Sequence, residues 1–205
     1  MNRKELRIIF KNFFYGILTA AIVAGCWLSC YAQVKAGLDV TESLVEWVQE
    51  ALLLLTAGTF YLMARRDRSE RGGLVLMGSL FAAMLIREND RLLNVGEMPV
   101  WEALLAVSLL VLALWERGRG PEILKGLAAF CRSGASPVMI TGLALLLVGS
   151  RLFGSHLIWQ YVVSDDNTHY AVRRLTEESL ELVSYCVCWI GARIYSRERR
   201  GLNAV

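Results

Sequence analysis

An all-α integral membrane protein is expected, with six transmembrane helices arranged as three helical hairpins and both termini in the cytoplasm. Three features lead there: apolar runs of near-bilayer length, a basic cluster in every second loop, and a Glu-to-Arg spacing that recurs once per hairpin. Hydrophobic residues make up 55% of the 205, only modestly more than in a soluble domain, so their distribution carries the information. Charges gather in short clusters between the long apolar runs, as expected when those runs lie in lipid.

The runs cover approximately 13–31, 44–63, 72–93, 99–115, 137–161 and 175–195, making 1–205 a single polytopic domain. At 1.5 Å per residue, about 20 residues cross a roughly 30 Å hydrocarbon core. The third and fourth runs reach that length only with their polar outer ends counted. Before the first stand Arg3, Lys4, Arg7 and Lys11; between the second and third stand Arg65, Arg66, Arg68 and Arg71. Arg117, Arg119, Lys125 and Arg132 fall between the fourth and fifth, and Arg193, Arg197, Arg199 and Arg200 after the sixth. The alternate loops hold Lys35, Asp39 and Glu42, then Arg91 and Glu97, then Asp165, Asp166 and His169. Basic loops on one side only are the positive-inside pattern, which places the protein in a bacterial inner membrane with both ends inside.

A competing reading concerns the start. A basic N-terminus, an apolar run and Val23-Ala24-Gly25-Cys26 resemble a lipoprotein signal cleaved before Cys26, and Tyr31-Ala32-Gln33 could serve an ordinary signal peptidase. Either would leave five spans. In the loop after the fourth run, Pro121 suits a first helical turn, and Ile123, Leu124, Leu127 and Phe130 could share one side. That reads as a short interfacial helix, with an irregular loop as the alternative.

Glu50, Glu102 and Glu178 each precede an apolar run that meets an arginine fifteen residues later, at Arg65, Arg117 and Arg193. Fifteen residues of helix measure about 22 Å, so the three acids are expected at one depth near the outer face. Glu181 lies one turn deeper. Arg87 and Arg151 reach the same level on two ascending helices. Asp39, Glu42, Glu46 and Glu50 can line one side of the second helix, with Glu42 and Glu46 near enough to water to be merely solvated. Arg174, Glu178, Glu181, Tyr185 and Cys188 form a comparable stripe on the sixth. An ionised group at the bilayer centre costs at least about 2.5–3.5 kcal/mol, so such groups turn inward and find partners. The expected result is an outward-facing pocket holding Arg87, Glu88, Glu102, Arg151, His156, Glu178, Glu181 and, least centrally, Glu50.

Other chemistries are excluded. Two histidines cannot supply a histidine-rich zinc site, and no Cys-x-x-Cys pair exists among the five cysteines. His169 with Asp165, Asp166 and Asn167 comes nearest to a metal site, but no metal is expected. There is no Gly-x-Ser-x-Gly elbow, phosphate loop, His-Glu-x-x-His or dinucleotide fingerprint, and a net charge of +3 is small for a nucleic-acid binder. Cys26, Cys30, Cys186 and Cys188 read as small buried apolar groups. The six tryptophans lie near proposed span ends, as an aromatic belt requires.

The first expectation for function is binding or transport of a small polar or cationic solute or of protons. A membrane enzyme acting on a lipid-linked or periplasmic substrate is a second, with Glu178 or Glu181 as acid/base. A partner-binding subunit or homo-oligomer whose charges are structural is a third. The partners expected are the lipid bilayer and another membrane chain; no cofactor is indicated.

Overall fold

The computed structural model describes residues 3–35, 44–93, 100–115, 117–162 and 166–202, and all regular structure among them is helical. In chain order the helices are α1 (Arg3–Lys35), α2 (Leu44–Arg66), α3 (Arg71–Glu88), α4 (Asp90–Leu93), α5 (Val100–Trp115) and α6 (Gly120–Cys131). Then come α7 (Ala135–Ala144), a π-helical turn (Leu145–Gly149), α8 (Ser150–Phe153), α9 (His156–Trp159) and α10 (Asp166–Leu202). Three stretches are long and apolar enough to cross a bilayer: Phe13–Ala32 in α1, Leu44–Arg66 in α2, and Ala135–Phe153 from α7 through α8. α5 is a shorter apolar helix.

Two expected spans differ in their course. The run 72–93 is interrupted at Asn89, whose backbone N–H and side-chain amide both bond to the Leu85 carbonyl, ending α3 and turning the chain into α4. An asparagine side chain competing for backbone partners is a recognised helix terminator. The run 137–161 is also not one regular helix. It passes through the π-helical turn and then breaks at Gly154 and Ser155 before α9. The last helix is longer than 175–195, beginning at Asp166 and continuing to Leu202.

The chain falls into two compact units, residues 1–49 with 142–186 and residues 50–141 with 187–205. In the first, α1 buries only Cys26 and Cys30 among the side chains described from 13 to 32, one turn apart on a narrow seam. Its Phe13, Ile17, Trp27 and Leu28 are exposed, as lipid-facing side chains are. On α10, Leu182, Ser184, Tyr185 and Cys186 are buried, and the four cysteines expected to be buried apolar groups are all buried free thiols, with Cys188 in the other unit.

The second unit is centred on four rings. Phe60 of α2 stacks on Phe81 of α3 with centroids 6.1 Å apart, and Tyr195 of α10 lies 6.4 Å from Phe60 and 5.2 Å from Phe130 of α6. α6 forms where Pro121 fits the first turn, so the helical reading of that loop holds. Its inward face is Gly126 and Phe130, however, while Leu124 is 68% exposed. The reason is a crossing of backbones: a Cβ on Gly73 of α3 would lie 2.7 Å from the Gly126 Cα, and one on Gly126 would lie 2.8 Å from the Glu70 carbonyl. α5 buries none of its residues, and its Trp115 ring faces Arg71 at 6.0 Å and Arg119 at 5.7 Å. Those cation–π contacts fasten the end of α5 to the starts of α3 and α6.

Candidate functional site

The polar residues of the first unit concentrate on the N-terminal half of α10. Because side chains three and four apart share a face, this segment presents two stripes. One is Tyr170, Arg174 and Glu178, which meets the start of α2. The other is His169, Arg173 and Glu177, which meets α8 and α9.

On the first stripe Arg174 is shared by two carboxylates. Its Nη2 donates to Glu46 Oε1 at 3.3 Å and lies 3.4 Å from Glu178 Oε1, one turn along its own helix. Gln49, only 1% exposed, donates its amide to the Glu178 backbone carbonyl at 3.0 Å and to Glu178 Oε2 at 3.2 Å. Glu178 is thus held from both sides, by a cation and by a neutral amide. Glu181, one turn further, is 5% exposed.

On the second stripe Arg151 Nη1 donates to Glu177 Oε1 at 3.4 Å. The Glu177 carboxylate lies over Gly154, where a Cβ would sit 2.6 Å from it, so the missing side chain there makes room for an acid. The rings of His156 and His169 touch, with centroids 4.4 Å apart. His169 Nε2 and Arg173 Nε are buried without a protein partner. No group of three or more metal-ligating side chains occurs among the described residues, and the side chains of Asp165, Asp166 and Asn167 lie outside them.

The expected site residues therefore distribute as follows. Glu178, Glu181, Arg151 and His156 belong to this α10-centred cluster. Arg151 takes Glu177 rather than Glu178 as its ion-pair partner. Arg87 and Glu88 pair with one another at 2.8 Å in the second unit. Glu102 is exposed in the first turn of α5, with no partner among the described residues. Glu50, also in the second unit, is half-buried. Glu46 is not merely solvated but bonded to Arg174. Gln49, Glu46 and Glu177 complete the cluster and were not expected in it, while Arg174 was expected on one stripe with Glu178 and Glu181 but not in the pocket. For Arg174 the i, i+4 spacing to Glu178 was the available signal. For Gln49 there was none.

A second polar cluster joins the α2–α3 turn to the end of α10. Asp67 accepts hydrogen bonds from the Ser69 N–H at 3.0 Å, from the Ser69 hydroxyl at 2.8 Å and from Arg199. Arg199 also pairs with Glu70 at 2.8 Å, and the Tyr195 hydroxyl donates to Glu70 at 3.4 Å. Glu70 is only 7% exposed. Burial alone would raise the Asp67 carboxyl, but the bonds from Ser69 and Arg199 outweigh it and hold it below its ordinary value. A carboxyl depressed in the folded state contributes stability that is complete above its unfolded value and lost as pH falls through the folded one. Asp67→Asn is therefore expected to lower stability at neutral pH by roughly 1–2 kcal/mol. Thermal melts of both proteins should converge as the pH drops below about 4. A difference that stays constant with pH would rule out the ionic origin.

The chain matches no family model, no curated protein and no solved structure, so the chemistry of these side chains is what bears on its function.

Proposed function

We propose that the protein is a six-span protein of a bacterial inner membrane, with both termini in the cytoplasm, whose α2–α10 carboxylate cluster takes up protons or a small cationic solute. The three apolar stretches and the shorter α5 support the membrane assignment. The alternating basic loops support the orientation. α3 and α10 complete the count in this reading, their charged positions turned toward other helices.

One observation carries the binding reading: Arg174 serves Glu46 and Glu178 together, with Glu181 buried one turn beyond. Two acids converge on that one guanidinium, a grouping of carboxylates that suits a proton or a small cation. The buried nitrogens of His169 and Arg173 add hydrogen-bonding capacity that no protein group uses. The test is reconstitution into vesicles with a trapped pH-sensitive dye, and a second series with a cation-sensitive dye. The parent protein is expected to carry protons or a monovalent cation down an imposed gradient. Glu178→Gln is expected to reduce that flux at least tenfold while the melting temperature stays within a few degrees. Flux that is absent in the parent, or unchanged in the variant, would remove this reading.

A structural role for the same charges is favoured by a separate observation: Arg87, Arg151 and Arg174 are each already bonded to a carboxylate. In that case the protein is a helical subunit for a membrane partner, and Glu178→Gln should lower stability rather than activity.

A further inference from the structure

The second unit contains a cavity of about 70 Å³ between α2 and the end of α10, beside the Asp67 cluster. Four arginines line it, Arg66 from α2 and Arg193, Arg199 and Arg200 from α10, together with Asp67. Arg199 is engaged by Asp67 and Glu70. Arg66, Arg193 and Arg200 have no carboxylate partner among the described residues, and arginine stays protonated in any protein setting. Like charges gathered around one cavity repel, so an arrangement of this kind is stabilised by an anion. The space admits several water molecules and hence one phosphate group. Guanidinium forks match phosphate oxygens in geometry as well as charge.

The rest of the lining narrows the ligand. Leu62, Met63 and Leu74 form an apolar wall next to the arginines. On α2, Leu55, Thr59, Leu62 and Arg66 follow one another at helical spacing, and both leucines are exposed. An apolar stripe thus runs along the outside of the helix and ends at Arg66. Free phosphate needs the arginines but not the stripe. An acyl chain attached to a phosphate uses both.

We propose that this cavity is a binding site for the phosphate headgroup of an anionic glycerophospholipid, with an acyl chain lying along Leu55 and Leu62. Basic pockets between helices at the cytoplasmic boundary recognise such headgroups. The site is separate from the α2–α10 carboxylates. Arg66, Arg193 and Arg200 hold the phosphate, and Arg199, fixed by two acids, keeps the wall of the cavity in place.

The experiment is native mass spectrometry of the full-length delipidated protein in neutral detergent, titrated with phosphatidylglycerol, phosphatidylcholine or inorganic phosphate. Phosphatidylglycerol is expected to bind at least tenfold more tightly than phosphatidylcholine. Arg66→Gln and Arg200→Gln, both at exposed positions, are each expected to weaken phosphatidylglycerol binding about tenfold. The variants should melt with the parent, and flux through the carboxylate cluster should be unchanged by them. Equal binding of the two lipids, or preference for phosphatidylglycerol that survives both substitutions, overturns the proposal. Inorganic phosphate that binds as tightly as the lipid overturns the lipid assignment and leaves a soluble phosphate as the ligand. Should either variant melt early, the same titration with Leu62→Asn decides. Weaker phosphatidylglycerol binding there, with binding of inorganic phosphate unchanged, supports the acyl-chain stripe, and unchanged lipid binding overturns it.

Discussion

Gly126→Leu is expected to be among the most damaging single substitutions in the protein, separating α6 from α3 and lowering the melting temperature sharply. The physical cause is that no side chain can yield. A Cβ at 126 meets the Glu70 carbonyl at 2.8 Å and the Gly73 Cα at 2.9 Å, and both are backbone atoms. Overpacking a core typically costs about 1–3 kcal/mol when neighbouring side chains can shift, so a clash with backbone falls at or above that range. The consequence extends beyond the crossing. Phe130 lies one turn beyond Gly126 on α6 and packs edge-on against Tyr195, which in turn donates to Glu70. Lifting α6 would expose that ring and loosen the Asp67–Glu70–Arg199 cluster with it. Gly58→Ala provides the contrast, since a Cβ there meets nothing within 4 Å and the substitution favours the helix by roughly 0.5–1 kcal/mol. Thermal melts of the two variants in one detergent should move in opposite directions. A Gly126→Leu protein that melts with the parent would show that the crossing is not close in the folded state.

The contrast between Gly126 and Leu124 also shows what the sequence could and could not reveal. Helical periodicity and a proline at the first turn were enough to place α6, but not to orient it, because four apolar residues offered more than one inward face. The same limit appears on α2. Its apolar residues surround the helix, so the pattern did not choose between a face containing Glu50 and one containing Gln49. The two differ by one residue, or about 100° of rotation, and packing selected Gln49. The stripes of α10 were more legible, since its polar residues recur every three or four positions. Arg174 and Glu178 could be placed together on spacing alone. Arg199 could not. In the sequence it is one arginine of a basic tail and counts equally with Arg197 and Arg200, whereas its role depends on Asp67, 132 residues away. Breaks fall between these extremes: Asn89 carries a recognisable terminating side chain, but nothing in Leu145–Gly149 announces a π-helical turn.

That turn bears on the carboxylate cluster, because it lies directly before Ser150 and Arg151. A π-helical turn rotates the following residues relative to an unbroken α-helix, and such turns recur at functional sites. Gly149 lets the turn approach α10, where a Cβ would come within 3.1 Å of Leu180. Arg151 then reaches Glu177, leaving Glu178 to Arg174 and Gln49. The two ion pairs are thereby sorted onto separate faces of one helix.

Arg174→Met tests whether that sorting is structural or functional. Losing the guanidinium leaves Glu46 and Glu178 without their shared cation, at a partly buried position where the loss costs on the order of 1–3 kcal/mol. The single variant is expected to melt well below the parent at neutral pH. It should recover as the pH falls, because protonating either acid removes their repulsion. Gln49 still supports Glu178 from the other side, so α2 and α10 should remain docked. Combining Arg174→Met with Glu178→Gln removes one acid with the cation, and the double variant is expected to regain at least half of the lost stability. The coupling energy of that cycle belongs to the pair. Flux measured on the same proteins separates the two roles. If the charges only hold helices together, the rescued double variant should carry whatever the parent carries. If Glu178 is the proton or cation ligand, the double variant should be stable and inactive.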